Sequence, residues 1–417
     1  MGRLAGRLGP LVERDFRLLF TATTITTAGD RLAFIALAFA VLDLPGGSAT
    51  DLGLVLAARQ IVEALVLLGG GVLSDRLPRA HVLVGASLIQ AAAQAVTATL
   101  ILSGDATVPL LVGLQGLYGL GAGLVLPAEV GLVPQTVSSE RLQQANALQG
   151  LSRNLTAILG PAFGGALVVA GSPGVALAAD AASFLVCAAL LGAIRVPPRE
   201  PNAVAPSFVR ELREGWQEFT SRTWLWSTVL LFGIGNLAFM CWPVLGPAIF
   251  EEERGGAGDW ATVVTLNGVG AVVGGLFAMR IRPSRPLVGS IVAASPLILP
   301  LILLAADAPV WLLCVGSFLS GAGIAVHLTL WFTVFQREVP EHAQSRVSSY
   351  DALGSFVLIP LGSVLAGPVA AAIGEGTTLI GAAAVCVACW SVMLLIPSVW
   401  AIRARQGEVT TPAPYAV

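Results

Sequence analysis

Long apolar stretches recur along the whole chain, and short polar segments separate them. Each stretch has about 20 residues or more, which is enough for a helix to cross roughly 30 Å of hydrocarbon. The pattern therefore predicts an all-α membrane protein with twelve transmembrane helices. The expected spans are 18–42, 52–73, 81–103, 108–133, 145–170, 175–195, 224–249, 260–280, 287–306, 309–334, 346–372 and 377–401.

One polar segment in the middle of the chain has a different pattern. Apolar residues recur at helical spacing from Phe208 to Phe219, with charged residues around the rest of the helix. This predicts an amphipathic helix on the membrane surface, after a proline-rich linker. The expected organisation is a six-helix bundle at 1–195, this linker at 196–223, a second six-helix bundle at 224–402 and a tail at 403–417.

Composition agrees with the membrane assignment, and charge gives the orientation. Hydrophobic residues make up 55% of the 417 and charged residues 12%, whereas a soluble domain has roughly 25% charged residues. There is no Lys, and most of the Arg residues lie at the ends of the chain or in alternate loops. The other loops carry acids such as Asp43 and Asp105. By the positive-inside rule, both termini are expected in the cytoplasm.

The two halves of the sequence resemble each other. Gly121-Ala122-Gly123 corresponds to Gly321-Ala322-Gly323, and in the same alignment Asn236 and Asn267 stand where the first half has Asp30 and Glu63. A duplication of this kind is typical of carriers that rock two bundles around a midplane site. Two pseudo-symmetric six-helix bundles are therefore expected.

Four charged residues lie inside the first two predicted spans. They are Asp30, Arg31, Arg59 and Glu63, and their charges sum to zero. A charge at membrane depth costs roughly 2.5–3.5 kcal/mol on insertion scales, so these residues are functional candidates. Our hypothesis is that Asp30 or Glu63 binds a coupling proton beside an arginine. A static, charge-balanced strut is the alternative.

The loop Gly71-Val-Leu-Ser-Asp75-Arg76-Leu-Pro-Arg79 resembles the motif G-x-L-x-D-R-x-x-R of the major facilitator superfamily. Together with the stretch from Pro127 to Gly165, it makes the chain most similar to bacterial exporters of the macrolide-efflux and enterobactin-exporter type, which are drug:proton antiporters. The resemblance implies a cytoplasmic gate in which Asp75 approaches the start of the eleventh span and Glu129 faces Arg76 or Arg79. The expected gate residues are Gly71, Asp75, Arg76, Arg79, Glu129 and Arg153.

The fifth and fourth spans differ in how well they follow the family pattern. Gly160-Pro161-Ala-Phe-Gly164-Gly165 resembles the signature of proton-driven antiporters, and its proline can bend a helix whose glycines allow close packing. Ordinary glycine-mediated packing is the alternative. In the fourth span, Gln115 stands where the family pattern has an arginine tied to proton transfer. Any proton coupling must then use other residues.

Polar and aromatic residues in the spans are candidates for the substrate cavity, although helix aromatics also pack against neighbours or face lipid. The candidates are Phe34, Gln115, Asn236, Trp242, Asn267, His327 and Trp331. Cys386-x-x-Cys389 has the spacing of a metal or redox pair but no accompanying His or second pair. We expect these cysteines to pack in the membrane, with no metal site.

No catalytic motif of an enzyme is present, and no nucleotide-binding motif supplies energy. The sequence predicts a secondary transporter without a cofactor, which exports a small amphipathic molecule such as a drug, siderophore or secondary metabolite in exchange for protons. An importer or facilitator on the same fold is one alternative, and a non-transporting receptor or scaffold is another. The expected setting is the bacterial inner membrane. The expected partners are the substrate, the proton gradient and lipid, without nucleic acid, for a monomer.

Overall fold

The computed structural model describes residues 9–195 and 208–404. Within these ranges the side chains of residues 68–76, 208–212, 342 and 345 are not described. Every element in the described ranges is a helix. Large apolar side chains such as Leu65, Val169 and Leu395 remain 65%, 69% and 79% exposed, as expected for helices that face lipid.

The first half contains six long helices. They are α1 (Arg14–Leu42), α2 (Ala49–Arg76), α3 (Arg79–Ser103), α4 (Val108–Thr136), α5 (Leu142–Ala170) and α6 (Pro173–Gly192). Local sequence sets several of the ends. Gly104 adopts φ +78° where α3 stops, and the Ser172 hydroxyl accepts a hydrogen bond from the Val175 backbone N–H at the start of α6.

A short amphipathic helix, α7 (Phe208–Thr220), connects the halves. The second half contains α8 (Thr223–Phe239), α9 (Cys241–Glu253), α10 (Gly256–Ala278), α11 (Pro286–Ala294), α12 (Leu299–Ala305), α13 (Val310–Glu338), α14 (Glu341–Phe356), α15 (Ile359–Ile373), α16 (Glu375–Leu395) and α17 (Pro397–Ala401). Three spans predicted as single helices are therefore pairs, namely α8–α9, α11–α12 and α14–α15. Proline accounts for two breaks: Pro296 lies in the 3₁₀ turn before α12, and Pro360 in the first turn of α15.

Eleven segments of the described chain are long and apolar enough to cross a membrane. The amphipathic helix α7 is not one of them, and neither is α2, a further helix of 28 residues. The predicted total of twelve crossings includes α2 and stays a prediction.

Helices of each half pack mainly on one another. In the first half, α3 packs on α6 and α2 packs on α4; in the second, α10 packs on α13 and α8 packs on α16. The pairs α2–α4 and α10–α13 occupy equivalent places in the sequence repeat. The membrane face at which the described chain begins and ends is called the terminal face below, and the other the opposite face.

Contacts between the halves concentrate toward the opposite face. There α2 packs on α15 and α5 packs on α10. A Cβ added to Gly53 would lie 2.1 Å from the Ser363 carbonyl oxygen, and the Ser363 hydroxyl donates to Gln60 Oε1 at 3.0 Å. Glycine is thus required where the two backbones meet.

A carboxyl pair also joins the halves at the opposite face. Asp43, at the end of α1, lies beside Glu251 of α9. Burial raises the pKa of Asp43 above its ordinary value of 3.8, although its interaction with Glu251 acts in the other direction.

Toward the terminal face, the crossing formed by α14 and α15 follows a different course. There α14 packs on α7 and α8, within its own half, whereas α15 packs on α2 nearer the opposite face. Within the described residues, the contacts between the halves are therefore concentrated toward the opposite face.

Candidate functional site

Three of the predicted membrane charges meet between α1 and α2. Arg59 Nη2 lies 3.4 Å from Asp30 Oδ1, and Arg59 Nε lies 3.9 Å from Glu63 Oε2. Arg59 and Glu63 are one helical turn apart, so both face α1. The arginine therefore lies between two carboxylates, which form a site that can hold or release a proton while charge stays nearly balanced.

Tyr118 of α4 completes this cluster. Its hydroxyl donates a hydrogen bond to Asp30 Oδ1, and the Arg59 guanidinium carbon lies 4.2 Å from the centre of its ring. The tyrosine is fully buried. The next residue, Gly119, allows this approach because a Cβ there would lie 2.4 Å from the Arg59 carbonyl oxygen. Tyr118 thus contacts both members of the Asp30–Arg59 ion pair.

A further carboxylate lies behind the cluster on α6. Asp180 is completely buried; it accepts a hydrogen bond from Gln94 Nε2 at 2.8 Å and one from the Ser183 hydroxyl at 3.3 Å. It is near enough to Arg59 for an electrostatic interaction. Sequence analysis assigned no role to Tyr118 or Asp180. An acid inside a predicted span was a usable signal for Asp180, but one sequence holds no signal that a tyrosine on α4 reaches α1.

Arg31 does not join this cluster. It is exposed, it follows Asp30 directly on α1, and its Cβ lies where a side chain at Gly160 of α5 would clash, at 2.3 Å. No ion pair of Arg31 is present within the described residues. The predicted group of four charges is thus a group of three with Arg31 on another face of α1, because successive helix residues point about 100° apart.

A cavity of about 340 Å³ inside the first half connects the charge cluster with the level of Glu129 on α4. Asp30, Arg59 and Glu63 line one part of it and Glu129 another. Its remaining lining includes several groups that can bind water, namely Thr23, Thr26, Thr27, Ser87 and Gln90. The charged cluster therefore has a polar route toward the terminal face.

The predicted gate is described only in part. Gly71, Asp75 and Arg76 lie at the end of α2, where side chains are outside the described residues, so their contact with the start of α14 is not described. Arg79 Nη1 donates to the Gly131 carbonyl at 2.5 Å. A Cβ at Gly131 would lie 1.9 Å from that nitrogen, so glycine is needed for the arginine to dock on α4.

Glu129 of α4 contacts residues of α5. Arg153 Nη1 of α5 lies 3.9 Å from Glu129 Oε1, and Gln149 Nε2 donates to the same oxygen at 3.4 Å. The structure therefore pairs Glu129 with Arg153. The side chain of Arg76 lies outside the described residues, so the expected contact of Glu129 with Arg76 or Arg79 stays a prediction.

The Gly-Pro segment of α5 packs on two neighbours. A Cβ at Gly164 would lie 2.8 Å from the Leu32 carbonyl oxygen of α1, and one at Gly165 would lie 2.3 Å from the Ala261 Cβ of α10. Gly160 and Pro161, earlier in the same segment, are also buried. The motif thus fixes α5 against α1 in its own half, while Gly165 lies at the contact between halves.

Four of the seven predicted cavity residues make structural contacts, and a fifth, Gln115, is buried without a described hydrogen-bond partner for its amide. Gln115 is buried in α4, and the Trp242 ring packs on the Trp260 ring at 4.8 Å. Asn236 Nδ2 donates to the Ser355 carbonyl at 2.9 Å, and Asn267 Nδ2 donates to the Ser317 carbonyl at 3.0 Å. Phe34 is half-buried against the main core. The two amides that replace Asp30 and Glu63 in the second half thus bind backbone.

The other two candidates, His327 and Trp331, line a cavity of about 150 Å³ in the second half, between α8, α13 and α14. The His327 ring stacks on Phe232 at 4.6 Å, and its Nδ1 lies 2.9 Å from the Ser290 hydroxyl. Trp331 Nε1 donates to Asp351 Oδ2 at 3.1 Å. Within the described residues, no group of His, Cys, Asp or Glu could hold a metal ion.

Comparison with known proteins agrees with this architecture. The sequence model described as Major Facilitator Superfamily matches residues 19–363. Proteins named enterobactin exporter EntS are similar in sequence. That of Citrobacter koseri is 28% identical over 388 residues, covering 88% of this chain and 89% of the relative. That of Salmonella typhimurium is 28% identical over 348 residues, covering 76% and 78%.

Solved transporters share the fold at low sequence identity. A bacterial homologue of the human lysosomal transporter Spinster, in an inward-facing and unoccupied conformation, superposes with a TM-score of 0.72 at 15% identity, covering 95% of this chain and 99% of that one. A bacterial homologue of the iron transporter ferroportin, in an inward-facing state, gives 0.72 at 18% identity, covering 92% and 98%. Together with the family match over most of the chain, the helical bundle and its internal cavities lead to one conclusion: this chain belongs to the Major Facilitator Superfamily and is a multi-pass membrane transporter of small molecules, not an enzyme.

Proposed function

We propose that this transporter exports a small amphipathic molecule in exchange for protons. The observation that carries the proposal is the Asp30–Arg59–Glu63 cluster with Tyr118, which lies at membrane depth and is reached by the polar cavity. Ionisable groups in a transmembrane bundle are costly and are usual in ion and proton pathways. A polar route toward Glu129 gives protons access to them.

The geometry suggests how a proton is exchanged. With Asp30 ionised, Arg59 and Tyr118 both hold its Oδ1 atom. A proton that arrives at Asp30 neutralises the carboxylate and weakens its ion pair with Arg59. Glu63 is then the remaining anionic partner of Arg59. Asp30 and Arg59 lie on different helices, so α1 and α2 are free to shift when the ion pair breaks. Protonation thus changes helix packing as well as charge.

Alternating access follows from the two halves, 1–195 and 224–402, with 196–223 as linker and 403–417 as tail. In the described conformation the contacts between the halves lie mainly toward the opposite face, and the distribution of arginine supports a cytoplasmic terminal face. Substrate enters there, and the halves then rock to open the opposite face. Asp75, Arg76 and Arg79 close the cytoplasmic side in that second state, and Glu129 with Arg153 holds α4 on α5. One chain contains both halves and acts as a monomer.

Export is favoured over import by the relatives, which are named as exporters. That name also supports a siderophore or another secondary metabolite as one substrate class. An importer on the same fold is the competing function. It requires substrate binding from the opposite face, which is closed in this conformation.

Everted membrane vesicles with an acidic lumen test the proposal, because their cytoplasmic face is outside. We expect the wild type to accumulate an exported compound from a panel of drugs and siderophores that includes enterobactin. Asp30→Asn and Glu63→Gln should abolish the proton-driven part. Asp105→Asn, which removes a carboxylate from an exposed loop, should have no effect. Accumulation that survives both membrane substitutions would contradict proton coupling at this cluster.

A further inference from the structure

The cavity between α8, α13 and α14 combines an apolar wall with one buried carboxylate. Phe232, His327 and Trp331 form the wall, and the His327 ring lies between the other two, at 4.6 and 6.5 Å, nearly parallel to both. Leu328, Phe332 and Phe356 also line the cavity and are 42%, 48% and 59% exposed. An exposed apolar rim above a buried aromatic wall is typical of a ligand cleft.

Asp351 is the carboxylate in this cleft. Only 9% of the residue is exposed. Its Oδ2 accepts the hydrogen bond from Trp331 Nε1, and its Oδ1 accepts one from the Ser355 hydroxyl at 3.5 Å. Both donors are neutral, and within the described residues Asp351 makes no ion pair. A buried carboxylate normally has a cationic partner, so its negative charge is left for something else to balance.

Asp351 contrasts with the acids of the first half. There, Arg59 lies between Asp30 and Glu63, and Glu129 faces Arg153. The cleft of the second half is lined by no arginine, and apart from Asp351 its one titratable lining residue is His327, whose Nδ1 is occupied by Ser290. Among the described residues, the protein thus supplies no counter-ion.

Aromatic faces around a lone carboxylate are the surroundings that an organic cation prefers. Ring faces attract positive charge within about 6 Å of the centroid, and the carboxylate supplies the opposite charge. A cavity of about 150 Å³ is smaller than a drug-sized site. It has room for one charged head group, while the rest of the ligand extends outward past the exposed Phe332 and Phe356.

We propose that this cleft binds the positively charged head of an amphipathic organic cation, with Asp351 as its counter-ion and Trp331 and Phe332 as aromatic contacts. The backbone supports the site: Asn236 Nδ2 donates to the Ser355 carbonyl and so holds α14 against α8. This inference rests on the proposed function only in naming its substrate class. Binding itself requires neither a proton gradient nor a direction of transport.

Equilibrium binding to purified protein in nanodiscs tests the site. The probes are a fluorescent N-methylpyridinium styryl dye, which is a flat monovalent cation, and its unmethylated parent, which is neutral at mildly alkaline pH. We expect Asp351→Asn to weaken binding of the cation about tenfold or more and to change binding of the neutral parent less than about twofold. Asparagine keeps an oxygen that accepts the Trp331 N–H, so the fold should persist.

Two further variants make the result specific. Phe332→Leu keeps apolar volume but removes a ring face, and should weaken cation binding about two- to fivefold. Asp105→Asn removes an exposed carboxylate and should leave both probes unaffected. Equal losses for the two probes in Asp351→Asn would overturn the proposal, because the cleft would then be merely apolar. Unchanged cation binding would overturn it as well and would leave Asp351 as a structural acid or a proton site.

The two proposals fail separately. If Asp30→Asn abolishes proton-driven transport but Asp351→Asn binds the cation normally, the proposed function stands and this site is rejected. If the cation depends on Asp351 while neither membrane acid of the first half affects transport, the site stands and proton coupling is rejected.

Discussion

Gly165 offers the sharpest test of how the halves close at the opposite face. Its Cα lies at the crossing of α5 and α10, and a Cβ there would lie 2.3 Å from the Ala261 Cβ and 3.2 Å from the Ala257 carbonyl oxygen. Carbon atoms in contact are about 3.5–4 Å apart. Gly165→Ala therefore requires the two helices to separate by more than about 1 Å or to strain.

The free-energy cost of this substitution is expected to equal that of overpacking, which is about 1–3 kcal/mol for an added methyl in a well-packed contact. The strain is present only while the opposite face is closed. The substitution should therefore favour the conformation that opens this face. Since about 1.4 kcal/mol corresponds to tenfold, the equilibrium should shift by about five- to 150-fold.

Electron paramagnetic resonance distances between spin labels at Asp105 and Gly374, on opposite-face loops of the two halves, measure the shift. We expect Gly165→Ala to populate a longer distance than the wild type. Gly150→Ala is the matched control on the same helix, because nothing lies within 4 Å of a Cβ at that position. Identical distance distributions for the two variants would refute the assigned role of Gly165.

Two other substitutions have clear expected outcomes. Gly131→Ala should displace Arg79 and cost about 1.5–3 kcal/mol, the value of a hydrogen bond to a charged group. Its thermal unfolding midpoint should fall below that of Gly113→Ala, where a Cβ meets nothing within 4 Å. The raised pKa of Asp43 means that the closed opposite face binds a proton more tightly than an open one. Acidification toward the ordinary value of 3.8 should stabilise closure, and the effect should fade as the pH rises through the raised pKa. In Asp43→Asn, spin-label distances should lose this pH dependence; a dependence that persists would assign it to another group.

Much of the fold was predictable because hydrophobicity alone determines which segments enter a membrane. The predicted spans 81–103 and 108–133 correspond to α3 and α4 within a few residues. The pairs α8–α9 and α14–α15 were predicted as single helices, since a break inside an apolar run leaves its hydrophobicity unchanged. The proline at the start of α15 was the available signal for one of them.

The site was predictable only where chemistry is unusual for its surroundings. Asp30, Arg59 and Glu63 were identified because a charge at membrane depth is costly and has few explanations other than function. Arg31 satisfied the same criterion but faces elsewhere, and Tyr118 joined the cluster from a helix more than 50 residues away. Helix-to-helix orientation decides both cases, and a single sequence does not contain it.

The cavity candidates show the same limit. Trp242 and Trp331 are both tryptophans in apolar spans, yet one packs against Trp260 in the core and the other lines the cleft. Residue type gives the capacity for binding, whereas packing decides which side chain is accessible. Asp351 was visible in the sequence but gained meaning only when the structure placed aromatic side chains around it, with no cation among the described residues.

Substrate-induced proton release tests the central claim most directly. Everted vesicles with an acidic lumen are suspended in weakly buffered medium, and pH is recorded when enterobactin or the N-methylpyridinium dye is added. If the transporter exchanges protons for substrate at Asp30, the compound that is accumulated must acidify the medium in wild type and Asp105→Asn but not in Asp30→Asn. Accumulation without acidification in the wild type, or equal acidification in Asp30→Asn, would contradict the account.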